Sequence, residues 1–271
     1  IRAGDLAGRG GLQEARNHVL AGTTGFVVSI VDRGGAFSRE AFRVDPLDGA
    51  DVGTTLDIDL QLEAERLLSG VGPASALVAL RASDGAILAA ASGPGSQGLS
   101  TATLGRYAPG STFKAVTSLA MLRAGWTPEA AVSCTDGVVV DGYRFDNWQG
   151  YPSAALGQVP LRTALAHSCN SAFINARDAV GQQALADAAA SLGLTATPNL
   201  VVGGFLGEVP ATAANATEHA ASMIGQGKVV ASPLGMGTVM ASVVAGRPVS
   251  PVLVPEGRTP PVAAPVLTAD E

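Results

Sequence analysis

A serine and a lysine placed three positions apart could supply a nucleophile and the base that activates it. Ser111 and Lys114 occur in the segment Pro109-Gly110-Ser111-Thr112-Phe113-Lys114, whose Pro-Gly pair predicts a turn that leads into a helix. Residues i and i+3 share one helix face, and burial can lower the pKa of a lysine until its amine accepts a serine proton. Free N–H groups at the helix start could stabilise an oxyanion. The segment therefore offers a nucleophile, a base and half of an oxyanion hole.

Lysine is rare in this chain, so each lysine is informative. Lys114 and Lys228 are the only two lysines among 17 basic residues. Because arginine stays protonated in a protein whereas lysine can lose its proton, a lysine at position 114 fits a base. For Lys228, the favoured explanation is a codon preference for arginine, with this lysine retained by chance.

A second polar element lies further along the chain. Ser168-Cys169-Asn170 follows the short apolar stretch from Leu161 to Ala166 and precedes another predicted helix. A hydroxyl and an amide on such a loop could relay a proton to a leaving group and hold the lysine and the substrate. The pattern Ser-x-Asn is common by chance. It is informative here because of its position after Ser111 and its distance from that residue in the sequence.

Hydrophobic patterns predict the elements that must position these residues. The amphipathic stretch from Ser111 to Arg123 predicts a helix whose core face carries Phe113, Val116, Leu119 and Ala120. The apolar runs Ala76–Leu80 and Ala86–Ala91 flank Ser83-Asp84-Gly85 and predict a β-hairpin. Other predicted elements are a strand over 26–31 and helices over 12–20, 58–68 (begun by Asp57 or Asp59), 160–166, 171–180, 182–191 and 232–245. An interior of small and aliphatic residues with few aromatics favours a mixed α/β domain.

Charge and glycine patterns argue against nucleotide and nucleic-acid binding. The formal net charge is −6 and the basic residues form no cluster, so nucleic acid is not expected as a partner. The Gly-rich string Gly93–Gly98 matches a dinucleotide fingerprint, but no helix starts at its third glycine and no acidic residue follows at the required distance. The string from Gly105 to Gly110 lacks the lysine of a phosphate loop.

The three histidines give no sign of a catalytic triad or a metal site. His18, His167 and His219 are far apart in the sequence, and no pair has metal-ligand spacing. We therefore expect no metal and no cofactor. His167 directly precedes Ser168, which leaves it open to a supporting role.

From about Thr54 onwards, the chain resembles the transpeptidase domain of class B penicillin-binding proteins of actinobacterial type. The family's Ser-x-x-Lys motif is similar to Tyr107–Lys114, and its Ser-x-Asn motif is similar to His167–Phe173. Flanking segments of the domain agree with the family as well: Leu56–Asp59, Asp84–Ala89, Gly225–Gly227 and Ser232–Leu234. Gly10–Gln13 resembles the end of the family's N-terminal pedestal domain.

The resemblance implies a fold and a domain division. It implies an antiparallel sheet covered by helices on both sides, as in penicillin-binding proteins and β-lactamases, with a small β-rich remnant in front. Residues 1–53 would be the remnant of a noncatalytic pedestal or linker, and residues 54–271 the transpeptidase domain. Within it, Ser111, Lys114, Ser168 and Asn170 would be the catalytic residues.

The resemblance also implies an activity. A serine acyl-transferase of this family cross-links the D-Ala-D-Ala stem peptides of peptidoglycan through an acyl-enzyme, and β-lactam antibiotics acylate the same serine. A membrane-anchored glycosyltransferase is the implied protein partner. The implied location is the extracytoplasmic face of the bacterial cell membrane, with an anchor in a segment absent from this chain.

One family motif has no counterpart in the printed sequence. The Lys-Thr/Ser-Gly motif is missing because Lys228 is followed by Val229-Val230. In the family, that strand supplies a carboxylate anchor and a second oxyanion N–H, so we expect this chain alone to be catalytically incomplete. The favoured explanation is a missing C-terminal part, and supply by another chain or degeneration are the alternatives.

Two other functions stay open at this point, and a third is disfavoured. A D,D-carboxypeptidase would use water in place of the acceptor amine, and a catalytically silent scaffold would serve the division or elongation machinery. Class A β-lactamases share both motifs, but the Glu-x-x-Leu-Asn loop that serves their hydrolysis does not occur here. A long-lived acyl-enzyme that awaits an amine is the better interpretation.

The implied compartment also bears on the only two cysteines, Cys134 and Cys169. In an oxidising space two cysteines tend to pair, whereas in a reducing cytoplasm they would be separate buried thiols. We favour a disulfide, which would hold the intervening segment with Trp148 and Tyr151 against the rim of the site.

Overall fold

The computed structural model of the chain describes residues 7–35, 38–255 and 267–268. The chain divides into two compact units between Thr54 and Thr55, and Val201–Gly203 belongs with the first unit. The interpretation of residues 1–53 as a pedestal remnant remains a prediction.

The first unit contains two short helices and one hairpin. Helices α1 (Gly11–Ala15) and α2 (Asn17–Leu20) replace the single helix predicted over 12–20, because the chain leaves helical geometry at Arg16. Strands β1 (Phe26–Val31) and β2 (Ser38–Val44) pair antiparallel. No described residue from 7 to 54 is buried, so this stretch has no core of its own there.

The second unit carries all the candidate catalytic residues. Its strands, in chain order, are β3 (Ala76–Leu80), β4 (Ile87–Ser92), β5 (Ala131–Cys134), β6 (Gly137–Val140), β7 (Tyr143–Asp146), β8 (Gly157–Pro160), β9 (Gly207–Glu208) and β10 (Val230–Ala231). Its helices are α3 (Ile58–Leu68), α4 (Thr101–Leu104), α5 (Lys114–Arg123), α6 (Leu161–Ala166), α7 (Asn170–Asn175), α8 (Gln182–Ser191), α9 (Ala216–Met223) and α10 (Pro233–Ala245).

The predicted hairpin has a helix on each face. Strands β3 and β4 pair antiparallel, and Ala89 and Ala91 pack with Ala64 and Leu68 of α3. Because side chains alternate along a strand, Val78 and Leu80 face the other way, toward α10. There a Cβ on Gly237 would lie 2.8 Å from Cδ1 of Leu80, so glycine permits the close approach. The mixed α/β class with helices on both sides of antiparallel strands is confirmed, although the described strands form separate two-stranded pairs rather than one sheet.

Helix α5 runs through the main core of this unit. Phe113, Val116, Leu119 and Ala120 are all buried, as the amphipathic pattern predicts. The predicted helix over 111–123 begins as a 3-10 turn over Gly110–Phe113 and becomes α-helical at Lys114.

Four short strands between α5 and α6 were not predicted from the sequence. Strand β5 pairs with β8, and β6 pairs with β7, each over four residues. Helix α7 packs against β5, β6 and β7. These two pairs therefore position the Ser168-Cys169-Asn170 segment, which begins α7.

Candidate active site

The tight turn before α5 places Ser111 at the surface. Gly110 has φ +56° and donates its N–H to the carbonyl of Gly225 at 2.8 Å. Phe113 anchors the turn in the core, while Ser111 stays exposed. The nucleophile candidate is thus held on a rigid backbone and open to a substrate.

Gly225 is required for this arrangement. Its φ is +68°, and a Cβ there would lie 2.3 Å from the carbonyl oxygen of Gly110. Side chains are disfavoured at such φ values, and here there is no space for one either. Sequence reasoning noted Gly225 only as part of a flanking segment, and the structure gives it a supporting role beneath Ser111.

Lys114 is fully buried and brings four oxygen atoms together. Its Nζ donates to Ser111 Oγ at 3.1 Å and to the Ser168 carbonyl and hydroxyl at 2.8 and 3.0 Å. The fourth acceptor is Oδ1 of Asn170 at 2.6 Å. All four residues singled out from the two motifs therefore meet at one nitrogen.

Burial lowers the pKa of Lys114 from 10.5 to about 8. The ring of Phe173, whose centroid is 5.6 Å from Nζ, forms part of the apolar surroundings. With this pKa, about a tenth of the side chains are neutral at pH 7. The neutral amine is therefore the minor form at pH 7, and its share grows as the pH approaches the lowered pKa.

The chemistry of the four oxygens determines where a neutral amine would place its lone pair. The Ser168 carbonyl and Asn170 Oδ1 can only accept, so they take the two N–H bonds of a neutral amine. The lone pair then faces the hydroxyls of Ser111 and Ser168, which can donate. Loss of one proton thus converts Lys114 from a donor to both hydroxyls into an acceptor for one of them.

Ser168 adopts a backbone conformation that serine rarely takes. Its φ is +59°, in the left-handed region, at a cost of about 1–3 kcal/mol for a residue with a Cβ. Its N–H donates to the carbonyl of Leu165 and its own carbonyl accepts from Lys114, so the peptide groups on both sides of its Cα are hydrogen-bonded. This conformation turns both oxygens of Ser168 toward one amine.

Asn170 is held by residues that sequence reasoning missed. Asn147 Oδ1 accepts the Asn170 N–H at 2.8 Å, and the Asn170 side-chain amide donates to the carbonyl of Asp146 at 2.7 Å. That second bond fixes which end of the amide faces Lys114. No sequence signal identifies Asn147, because the short strands that bring it here were not predicted.

A disulfide joins the two cysteines next to this segment. Cys134 ends β5 and Cys169 precedes α7, their Cα atoms are 6.1 Å apart, and both side chains are buried. The Tyr151 hydroxyl lies 3.3 Å from Sγ of Cys134. Trp148 is half exposed and donates its indole N–H to the carbonyl of His167 at 3.2 Å.

The remaining candidates lie outside this cluster. Lys228 pairs with Glu218 at 3.0 Å. His167 contributes its carbonyl, and its ring is exposed. The part of the chain that the structure describes contains no group of three or more His, Cys, Asp or Glu side chains able to hold a metal ion. None of the described helices has the length and apolar character needed to cross a membrane.

Comparison with protein families gives an extensive match. Residues 75–266 match the model of the penicillin binding protein transpeptidase domain, which covers most of the chain. The peptidoglycan D,D-transpeptidase PbpA of Mycobacterium tuberculosis is 34% identical over 114 residues, covering 40% of this chain and 23% of that protein. The match thus spans less than a quarter of this curated relative.

Solved structures show the same fold. Penicillin-binding protein A from M. tuberculosis, as a penicillin G acyl-enzyme complex, is 26% identical with a TM-score of 0.66, over 82% of this chain and 59% of that one. A chain from a study of the structural coordination of polymerization and crosslinking by a peptidoglycan synthase complex is 28% identical with a TM-score of 0.76, over 92% and 51% of the two chains. The chain therefore belongs to the penicillin-binding protein transpeptidase family, as a class B member of actinobacterial type.

Proposed function

We propose that the protein containing this chain is a serine acyl-transferase that cross-links peptidoglycan stem peptides. The observation that carries this proposal is the distance of 3.1 Å between Lys114 Nζ and Ser111 Oγ, with Ser168 and Asn170 on the same nitrogen. A buried amine with a lowered pKa, in contact with an exposed serine, is the arrangement that serine activation requires.

In the proposed first half-reaction, neutral Lys114 takes the proton of the Ser111 hydroxyl as Oγ attacks the carbonyl of the penultimate D-Ala. The C–N bond to the terminal D-Ala breaks, and the proton passes from Lys114 through the Ser168 hydroxyl to the departing amine. The ester on Ser111 is the acyl-enzyme. N–H groups at the start of the 3-10 turn would stabilise the oxyanion.

The second half-reaction transfers the acyl group to an amine. The amine of a neighbouring stem peptide attacks the ester carbonyl, and Ser168 and Lys114 return the excess proton of that amine to Ser111 Oγ. An amide forms and free enzyme is restored. A β-lactam would acylate Ser111 in the same way, but its leaving group stays attached, so the acyl-enzyme would persist.

Similar proteins support this proposal. The M. tuberculosis relative bears the name peptidoglycan D,D-transpeptidase, and penicillin-binding protein A from the same organism forms an acyl-enzyme with penicillin G. We further propose that the protein acts at the extracytoplasmic face of the cell membrane and works with a membrane-anchored glycosyltransferase. The peptidoglycan synthase complex, which couples polymerization with crosslinking, supports such a partner.

Labelled penicillin tests the proposal in the full-length protein. Intact-protein mass spectrometry should detect one adduct, which is lost in Ser111→Ala and kept in Ser153→Ala, a change of an exposed serine outside the cluster. No adduct on the full-length protein would favour the silent scaffold. An adduct together with hydrolysis of a D-Ala-D-Ala peptide, and no amide product with an added amine, would favour the D,D-carboxypeptidase.

A further inference from the structure

An open groove of about 540 Å³ is lined by β7, by one side of α9 and by the segment that follows α9. Tyr143 and Phe145 form one wall, and Asn215, Glu218, Gln226 and Lys228 contribute polar groups. This volume falls within the range of small-molecule sites. None of these six side chains belongs to the Ser111 cluster.

The aromatic wall is rigid and accessible. Tyr143 is 59% exposed, whereas Phe145 beneath it is 7% exposed. Their rings meet edge to face, with centroids 4.7 Å apart, so the tyrosine ring is held by a buried partner. A fixed, exposed ring offers a flat apolar face to a ligand at little cost in side-chain entropy.

The polar wall is electrically balanced. Lys228 Nζ lies 3.0 Å from Glu218, so the groove carries no net charge from this pair. Gln226 is exposed, and its side chain has no hydrogen-bond partner among the described residues. An anionic ligand would compete with Glu218 for Lys228, whereas an uncharged ligand with hydroxyl and amide groups could bind to the pair and to Gln226 together.

Both walls of the groove connect to the Ser111 cluster through backbone contacts. Asp146, which follows Phe145, accepts the Asn170 side-chain amide through its carbonyl. Gly225, which precedes Gln226, accepts the Gly110 N–H. Residues adjacent in the sequence to both walls thus also support Asn170 and Gly110.

We propose that this groove binds a saccharide unit of the glycan strand that bears the stem peptide. A pyranose ring would stack its C–H face on Tyr143 and place its hydroxyl and acetamido groups against Gln226 and the Lys228–Glu218 pair. This inference rests on the proposed function, because that function makes a glycan-linked peptide the substrate.

The test uses the full-length Ser111→Ala protein, which cannot be acylated, so binding is measured independently of catalysis. Chitotetraose, a neutral peptide-free β-1,4-linked oligosaccharide, serves as the probe in a calorimetric or NMR titration. Tyr143→Ala should weaken binding at least tenfold, whereas Tyr143→Phe should keep it within threefold because the ring remains. Val139→Ala is the matched control, since Val139 is 58% exposed on the opposite face of the same hairpin and should not affect binding.

Two outcomes would overturn the inference. One is absence of saturable chitotetraose binding, with or without binding of a free stem peptide. The other is a Tyr143→Ala protein that binds as tightly as its parent. Penicillin labelling of the wild-type protein decides the proposed function separately, so the two failures are distinguishable.

Discussion

In the proposed mechanism Lys114 accepts one proton from Ser111 and passes it on. Replacement of Lys114 by arginine keeps the positive charge but removes this proton transfer. A guanidinium stays protonated, so it cannot accept the Ser111 proton. We expect Lys114→Arg to lower the second-order rate constant of penicillin acylation at least about 100-fold, within the range for loss of a general base. Stopped-flow labelling with a fluorescent penicillin measures this constant.

Arg66→Lys is the control, because it exchanges the same two residue types on the exposed surface of α3. It should acylate at the wild-type rate. Wild-type acylation by Lys114→Arg would exclude Lys114 as the base.

The pKa of Lys114 predicts the pH dependence of acylation. Burial lowers this pKa to about 8, and only the neutral amine accepts a proton. The acylation rate constant should therefore rise about tenfold per pH unit between pH 6 and 7.5 and level off above about 8.5. A rate that is constant from pH 6 to 9 would contradict a titrating base at this position.

At the scale of elements, the contact between Gly110 and Gly225 fixes the position of the turn that carries Ser111. Gly225→Ala combines an unfavourable φ with a backbone clash at 2.3 Å. We expect a loss of roughly 2–5 kcal/mol in the free energy of unfolding, together with slower acylation. Urea denaturation and penicillin labelling of the same preparation measure both effects.

Gly246→Ala is a matched control for this prediction. Gly246 has φ +61° at the end of α10, and a Cβ there would meet nothing within 4 Å. It should cost only about 1 kcal/mol of backbone strain and leave acylation unchanged. Equal losses in the two variants would show that the approach to Gly110 is not important.

The Cys134–Cys169 disulfide links β5 to the start of α7 across 35 positions. In the chain-entropy model, closing a loop of this length contributes roughly 3–4 kcal/mol to stability. The double variant Cys134→Ser/Cys169→Ser should lose about this amount in urea denaturation. Reduced wild-type protein should match the variant, and two free thiols in denatured, unreduced protein would contradict the bridge.

The elements that could be predicted from the sequence are those with a long regular pattern. Helix α8 has the predicted bounds, and Asp57 is the N-cap of α3, accepting from Asp59 and Leu60. The helix predicted over 171–180 ends as an α-helix at Asn175 and continues as a 3-10 turn. The bounds of such helices follow from the helix propensity and the hydrophobic periodicity of their own residues.

The elements that could not be predicted depend on distant partners. Strands β5 to β8 have four residues each, too few for a hydrophobic period, and their pairing is tertiary. For the same reason Asn147 and the left-handed Ser168 had no signal in the sequence. The motifs identified the four residues that meet at Lys114 Nζ, but not the residues that hold them there.

At the scale of the whole molecule, His219 couples folding to pH. Burial lowers its pKa from 6.5, against an opposing hydrogen bond to Val180. The unfolded chain therefore binds this proton at higher pH than the native chain, so the free energy of unfolding should fall as the pH drops below about 6.5, by less than about 1.4 kcal/mol per unit. Urea denaturation at pH 7.5 and 5.5 measures the loss.

His219→Gln should be less sensitive to pH over this interval, because glutamine does not titrate. His167→Gln, which replaces an exposed histidine by the same residue, is the matched control. An unchanged dependence in His219→Gln would assign the effect to other groups.

The hydrogen bond from Trp148 to the His167 carbonyl gives the protein an optical signal of its own. The chain has only two tryptophans, and the other, Trp126, is partly buried and packs against the core. Trp148 is half exposed, and its indole is bound to the residue that precedes Ser168. Indole emission depends on polarity and hydrogen bonding, so the intrinsic fluorescence of a Trp126→Phe protein would report the state of this one peptide group without any attached dye.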